Sequence, residues 1–133
     1  MRRTPEGKYI LKILLVEDED SARIALGRIM ENSGHEVVSA VDGPEGLKHF
    51  DEQGDFDIVL TDLGLPGPSG WEVAKSVKKK SRNTPVVLLS GWDIDEDDKE
   101  IQESGVDRVL AKPVRVKDIL QVVEDLVIKK VEG

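Results

Sequence analysis

The chain has 133 residues, of which 38% are hydrophobic, 35% are charged and only 4% are aromatic. A single domain of this size can bury a self-sufficient core, and the absence of cysteine excludes disulfides, thiolate chemistry and Cys-based metal sites. The formal net charge of −8 argues against nucleic acid or an anionic membrane as the main partner.

No apolar stretch approaches the roughly 20 residues that cross a bilayer. Arg2 and Arg3 are not followed by an apolar region, so the N-terminus does not have the pattern of a secretory signal. The expected location is therefore the cytoplasm. Residues 1–9 are mostly polar and are predicted to form a flexible lead-in, residues 10–130 a single domain, and residues 131–133 a short tail.

From Tyr9 onwards, two kinds of segment alternate. Apolar runs predict five strands, at Tyr9–Val16, Glu36–Val41, Phe56–Thr61, Val86–Leu89 and Asp107–Ala111. The second alternates apolar and polar residues more than the others, which is typical of an edge strand. The low aromatic content favours a core of aliphatic side chains and a buried parallel sheet.

Apolar residues at helical spacing predict a helix after each strand. The first carries Ala22, Ala25, Leu26, Ile29 and Met30. Either Asp20 or Ser21 is expected to cap it. The second begins at Pro44 and ends at Gly54. The third contains Trp71, Val73, Ala74 and Val77, and the fifth Ile119, Val122, Val123, Leu126 and Val127. The fourth, at about Asp95–Ser104, has little apolar character.

Such alternation predicts right-handed crossovers and a parallel sheet with helices on both faces. Ligands of open sheets of this kind bind beyond the carboxyl ends of the strands. Polar side chains stand at four of these ends: Glu17 and Asp18 after the first strand, Asp62 after the third, Ser90 after the fourth and Lys112 after the fifth. The sequence therefore predicts that acids, a hydroxyl and an ammonium meet at one edge of the sheet.

Glu17, Asp18 and Asp62 form a candidate metal cluster. Carboxylates about 4 Å apart repel by roughly 1 kcal/mol in water and by more in a cleft, and a hard divalent cation offsets that repulsion. Magnesium suits a site with few carboxylates, several waters and a shared phosphate. The alternative is that the acidic run 17–20 only stabilises a helix N-terminus.

A carboxylate beside a metal can attack a phosphoryl group and form an acyl phosphate. This makes Asp62 the candidate nucleophile, while Ser90 and Lys112 are candidates for binding the phosphoryl oxygens. Each of the three, taken singly, is also explained as an ordinary strand-end residue. His35 and His49 lack metal-ligand spacing and are predicted to be surface residues.

The ordered set L-L-V-E-D, D-x-x-x-P-x-x-x-G, L-L-S-G and A-K-P resembles the receiver domain of two-component response regulators, the CheY-like superfamily. The resemblance runs from about Ile10 to Lys130. It implies a flavodoxin-like (βα)5 α/β fold with strand order 2-1-3-4-5 and a cis Lys112–Pro113 bond.

The resemblance also implies residue roles. Asp62 would accept a phosphoryl group from the phosphohistidine of a sensor histidine kinase or a histidine phosphotransfer protein. Asp18, Asp62 and the backbone carbonyl of Gly64 would ligate Mg²⁺, and Glu17 would hold the ion mainly through water. Phosphorylation would then switch a surface that binds a downstream protein or a second copy of the chain, with no direct contact to nucleic acid or membrane.

Three positions depart from the family pattern. Val109 stands where many receivers have a Tyr or Phe that turns inward, so the aromatic part of the switch is expected to be missing. Gly91 replaces a small alanine and adds backbone freedom. Trp92, together with Gly64, is predicted to set the dephosphorylation rate by shielding or admitting water.

Other classes of function fit less well. A phosphohydrolase of the haloacid dehalogenase type would need a second acid two residues after Asp62, where Gly64 stands. A degenerate receiver that serves only as a binding scaffold is also disfavoured, because all five positions with a chemical role are occupied: Glu17, Asp18, Asp62, Ser90 and Lys112. Two arrangements stay open: a stand-alone receiver, and a piece of a hybrid kinase or larger regulator. Self-phosphorylation and autodephosphorylation are the only reactions expected, so the protein is not predicted to be an enzyme.

Overall fold

The computed structural model describes residues 2–91 and 99–129. Its main sheet has five parallel strands: β1 (Lys12–Val16), β2 (Glu36–Ala40), β3 (Ile58–Asp62), β4 (Val86–Ser90) and β5 (Arg108–Ala111). They lie in the order β2-β1-β3-β4-β5. This confirms both the flavodoxin-like order 2-1-3-4-5 and the edge position of β2.

Five helices connect and follow the strands: α1 (Asp20–Asn32), α2 (Gly43–Gln53), α3 (Gly70–Lys80), α4 (Lys99–Ser104) and α5 (Val116–Val123). A π-helical turn, Glu124–Ile128, continues α5. The predicted start of the fourth helix lies outside the described residues. None of the described helices is long and apolar enough to cross a bilayer.

The alternation of side chains along the strands divides the core into two layers. Ile13 and Leu15 of β1 pack with α1 and α5 on one face, and Leu14 and Val16 pack with α2 and α3 on the other. The interior residues of β1, β3 and β4 are fully buried. Because successive side chains of a strand point to opposite faces, near-continuous apolar runs require helices on both sides.

The N-terminal lead-in has a pairing that the sequence did not predict. Arg2–Arg3 pairs antiparallel with Tyr9–Ile10, so the predicted first strand is divided into this short ribbon and β1. The Arg3 guanidinium lies over the Tyr9 ring at 4.5 Å from its centroid and donates to the Tyr9 hydroxyl at 2.6 Å. These contacts hold the two halves of the ribbon together.

The start of α1 differs from its prediction. Glu19 is the N-cap, and its carboxylate accepts the backbone N–H of Ala22 at 2.9 Å. Ser21 instead donates its hydroxyl to Glu19, and Asp20 is the first helical residue. At the start of α2, Asp42 caps the helix, Pro44 follows in its first turn, and Gly54 ends it.

Candidate functional site

The carboxyl ends of β1 and β3 bring three acids together. Single carboxylate oxygens of Glu17, Asp18 and Asp62 all lie within 4.8 Å of one another. β1 and β3 are direct neighbours in register, with Val16 opposite Thr61, so the acids that follow them share one edge. The three acids that the sequence predicted as a cluster are therefore one cluster in space.

Lys112 is the cation of this site. Its Nζ lies 2.5 Å from Glu17 Oε1 and 2.8 Å from Asp62 Oδ1. It comes from the loop after β5, across β4 from the acids, and the Lys112–Pro113 bond is cis as predicted. Its ammonium thus reaches the centre of the site from two strands away.

The electrostatics of the site follow from burial. Glu17 is fully buried, and Asp62 is 7% exposed. Burial raises the pKa of Glu17, and the Asp62 charge adds to this, against hydrogen bonds from Lys112 and from the Glu19 N–H. Burial opposes the charge of Lys112, but hydrogen bonds and attraction to Asp62 and Glu17 outweigh it and raise the pKa of the ammonium. The lysine stays charged because two acids surround it.

The acids are suited to a hard divalent cation. All the ligands are oxygens, and three carboxylates outnumber the single ammonium beside them. Asp18 is exposed, so the cluster opens to solvent on its side. Oxygen-only donor sets with an open side are typical of Mg²⁺ sites that retain waters and share a phosphate.

Ser90 lies at the end of β4 and is 2% exposed. The Ser90 carbonyl accepts the backbone N–H of Lys112 at 2.8 Å, so this hydrogen bond holds Ser90 and Lys112 side by side. Gly64 lies next to Asp62: among the described residues, a Cβ built on Gly64 would meet only Asp62 Oδ2, at 3.9 Å. Both predicted residues therefore belong to the same edge as Asp62.

The positions expected to tune the site are less fully described. Val109 is a half-buried residue inside β5. Gly91 follows β4 directly, and a Cβ there would have no heavy atom within 4 Å among the described residues that are not its neighbours. Trp92 lies outside the described residues.

Two further residues shape the site: Arg23, which was not predicted to do so, and Gly70, which the sequence motif had pointed to. Arg23 of α1 donates to the Glu17 carbonyl at 3.0 Å and to Asp20 Oδ1 at 2.6 Å, and thereby fixes the acidic loop. The Asp20–Arg23 spacing of three residues on one helix was the available signal. Gly70 lies against the backbone of Asp62: a Cβ on it would come within 2.3 Å of the Asp62 carbonyl oxygen. Its place in D-x-x-x-P-x-x-x-G thus reflects a steric need.

Comparison with known proteins identifies the family. Residues 13–124 match the family model described as the response regulator receiver domain. The sensory transduction protein RegX3 of Mycobacterium tuberculosis strain H37Rv is 36% identical over 108 residues, which are 81% of this chain and 47% of that protein. The chain thus spans about half the length of the curated relatives it matches.

Solved structures show the same fold. A receiver domain protein from Clostridium thermocellum superposes with a TM-score of 0.84 at 27% identity, covering 92% of this chain and 98% of that one. The response regulator TrrA of Thermotoga maritima, solved in complex with Mg(2+)-BeF, has a TM-score of 0.81 at 30% identity and covers 89% and 100%.

Proposed function

This chain belongs to the family of response regulator receiver domains of two-component systems, and we propose that Asp62 is its phosphoacceptor. The observation that carries the proposal is the convergence of Asp62, Glu17 and Lys112 within hydrogen-bonding distance at the carboxyl edge of the sheet. We propose that the receiver unit extends over residues 10–130.

In the proposed reaction, a carboxylate oxygen of Asp62 attacks the phosphorus of a phosphohistidine. A P–O bond forms, the P–N bond breaks, and the electron pair of that bond returns to the imidazole, which then takes up a proton from solvent. Lys112 neutralises one phosphoryl oxygen, and the Ser90 hydroxyl donates to another. The backbone N–H of Lys112 donates to the Ser90 carbonyl, which keeps the two residues next to each other.

Glu17, Asp18, Asp62 and the Gly64 carbonyl would hold Mg²⁺. When bound, the ion would supply positive charge that reduces repulsion between the acids and the incoming phosphoryl group. The support for this set is the all-oxygen cluster in which three carboxylates face a single ammonium. Glu17 is completely buried and bonded to Lys112, in line with a less direct role in holding the ion.

The test is incubation with Mg²⁺ and acetyl phosphate, followed by intact-mass measurement. The wild type should gain one phosphoryl group, and Asp62→Asn should gain none. Asp55→Asn is a matched control, because Asp55 is exposed and has positive φ, which Asn tolerates. A wild type that stays unmodified, or an Asp62→Asn protein that is modified equally, would contradict the proposal.

We propose that the phosphodonor is a sensor histidine kinase or histidine phosphotransfer protein, which docks beside the acids. Three large apolar side chains are exposed within the first five residues of two helices there: Ile24 of α1 is 50% exposed, and Val116 and Leu120 of α5 are 49% and 42% exposed. These helices pack on the same face of the sheet. Exposed apolar groups next to a reactive site are typical of a protein-docking surface.

The proposed output is a phosphorylation-dependent change in a surface that binds a downstream protein or a second copy of the chain. Both the stand-alone receiver and the piece of a hybrid kinase or larger regulator are compatible with the relatives. The reactions proposed for the chain itself are self-phosphorylation and autodephosphorylation. Sustained turnover of a phosphomonoester such as p-nitrophenyl phosphate would instead favour a phosphohydrolase.

We further propose that Gly64 and Trp92 set the lifetime of the phosphorylated state. Among the described residues, only Asp62 lies near a Cβ built on Gly64, which supports a route for water to the carboxylate from this side. Because Val109 has no aromatic ring to turn inward, we propose that the Ser90 hydroxyl moves on phosphorylation without an aromatic partner, helped by the backbone freedom of Gly91. Trp92→Ala should change the dephosphorylation rate, measured as loss of phosphorylated protein after removal of acetyl phosphate; an unchanged lifetime would remove this proposal.

A further inference from the structure

A basic groove lies between α3 and α4, at the edge of the sheet opposite to the acids. It has a volume of about 790 Å³ and is lined by Lys75, Lys78, Lys79 and Arg82 on one side and by the end of α4, including Glu103, on the other. Five of the 19 Lys and Arg residues of the chain lie between positions 75 and 82. Positive charge is thus concentrated in one place on a chain whose net charge is −8.

Only part of this charge is balanced within the protein. Lys78 pairs with Asp107 at 2.7 Å, and Lys80, which lies outside the groove, pairs with Asp51 at 2.5 Å. Lys75, Lys79 and Arg82 are exposed, and in the two described stretches, 2–91 and 99–129, no carboxylate lies within ion-pair distance of them. Within the part of the chain that the structure describes, these three cations therefore have no ion-pair partner, although Glu103 also lines the groove.

This arrangement is electrostatically unfavourable for α3 in isolation. Lys75 and Lys79 are four residues apart on one helix, where like charges repel each other. The C-terminal dipole of α3 favours cations only within its last turn, which includes Lys79 and excludes Lys75. An anionic ligand would relieve this repulsion.

We propose that the basic groove binds an extended acidic segment of a protein partner. Lys75 and Lys79 are separated by about 6 Å along the helix axis. Alternate side chains of an extended peptide are about 6.6 Å apart on one face. A segment with acids at every second position can thus place one carboxylate on each lysine and a third near Arg82, which a small anion such as phosphate cannot do.

A protein segment fits the groove better than nucleic acid. The described residues that line it include no aromatic side chain on which bases could stack. Glu103 stands inside the groove, and the chain as a whole is strongly acidic, so a long polyanion meets repulsion on either side of the three cations. This inference does not depend on phosphorylation of Asp62.

The test uses the full, unphosphorylated chain and a fluorescein-labelled decapeptide of alternating glutamate and serine, measured by fluorescence anisotropy at low and physiological salt. We expect saturable binding that Lys75→Gln/Lys79→Gln weakens at least tenfold. Arg82→Gln alone should weaken it about threefold. Lys8→Gln/Lys48→Gln is the matched control, since it removes two exposed lysines outside the groove and changes the net charge equally.

Equal loss of binding in the control pair would mean that only overall charge matters and would overturn the proposal, as would the absence of binding to the wild type. Tighter binding of a ten-nucleotide thymidine strand than of the peptide would replace the protein partner by nucleic acid. Retained binding in Lys75→Gln/Lys79→Gln would place the peptide elsewhere. Circular dichroism of each variant confirms that the comparison is between folded proteins.

Discussion

The two edges of the sheet use acidic side chains in different ways. At the edge where the strands begin, Asp57 accepts the backbone N–H of Lys12 at 2.8 Å, and Asp107 accepts that of Val86 at 2.8 Å. Each aspartate precedes one strand and binds the first residue of a neighbouring strand, with its own N–H bonded back to that residue's carbonyl. These acids complete the hydrogen bonding of the backbone and thereby fix strand register.

His35 makes the third contact of this kind. Its Nδ1 accepts the N–H of Leu11 at 3.0 Å, just before β2 begins. The prediction that His35 is a surface residue was wrong, since the side chain is half-buried and serves the sheet.

At the edge where the strands end, acids face other acids. The carboxylates of Glu17 and Asp62 share Lys112, and Asp18 lies close to both. Three carboxylates against one ammonium leave the site electrostatically unsatisfied, which weakens the folded state but prepares it for a cation and a phosphoryl group. Unfavourable interactions that no neighbouring group offsets, such as this repulsion between carboxylates, are expected at a functional site.

Two lysines, Lys78 at the edge where the strands begin and Lys112 at the edge where they end, make the comparison testable. Lys78 donates to Asp107, to the Thr84 carbonyl at 2.8 Å and to the Arg82 carbonyl at 3.4 Å, which are all structural acceptors. Lys112 donates to carboxylates that are proposed to do chemistry. We therefore expect loss of Lys112 to impair function and loss of Lys78 to impair stability.

The largest expected effect is that of Lys112→Met on phosphorylation. Removal of a preorganised group that stabilises developing charge lowers rates by about 10²–10³-fold in enzymes, and we expect a reduction of that size here. The measurement is the rate of phosphoryl gain from acetyl phosphate, followed by intact mass. Lys78→Met should stay within about threefold of the wild type, and equal losses in both variants would erase the distinction between the edges.

The second effect concerns the close packing of Gly70 against the backbone of Asp62, at the edge where the strands end. Gly70→Ala would place a methyl group 2.3 Å from the Asp62 carbonyl oxygen and 2.7 Å from Leu88 Cδ1, both of which are buried. Overpacking of this kind costs about 3 kcal/mol, measurable by urea unfolding. Gly91→Ala is the control, because its Cβ would meet no atom within 4 Å among the non-neighbouring residues that the structure describes. Similar stability of the two variants would refute the close-approach explanation.

The third effect concerns Lys78. Lys78→Met leaves Asp107 without its cation and removes the donor of the Thr84 carbonyl, so we expect the free energy of unfolding to fall by about 2 kcal/mol. Lys80→Met is matched, since Lys80 pairs with Asp51 at the surface, with side chains 39% and 54% exposed. Exposed pairs contribute about 0–1 kcal/mol. A Lys80 variant as unstable as the Lys78 variant would show that burial of the pair is not decisive.

Much of the site at the edge where the strands end could be predicted from the sequence. Its residues come at the ends of apolar runs, and the ends of parallel strands meet on the same side of the sheet. The opposite edge could not be predicted in this way. Asp57 and Asp107 bind backbone groups 45 and 21 residues away, and His35 binds one 24 residues away. No local pattern distinguishes such an aspartate from one in a solvated turn. The order of the strands likewise came from a family resemblance rather than from periodicity.

The smallest expected effect is a pH dependence of the stability that His35 contributes at the edge where the strands begin. Burial lowers the pKa of His35 below its usual 6.5, against a smaller raising effect of the Asp57 charge. The unfolded chain therefore takes up this proton at a higher pH than the folded protein, so the stability contributed by neutral His35 is complete above pH 6.5 and is lost as the pH falls through the folded-state pKa. A protonated Nδ1 can no longer accept the N–H of Leu11, a loss of about 1 kcal/mol. The difference in unfolding free energy between wild type and His35→Gln, measured in urea at pH 7.5 and pH 5.5, should shrink at the lower pH. A difference that is constant with pH would mean that His35 contributes packing alone.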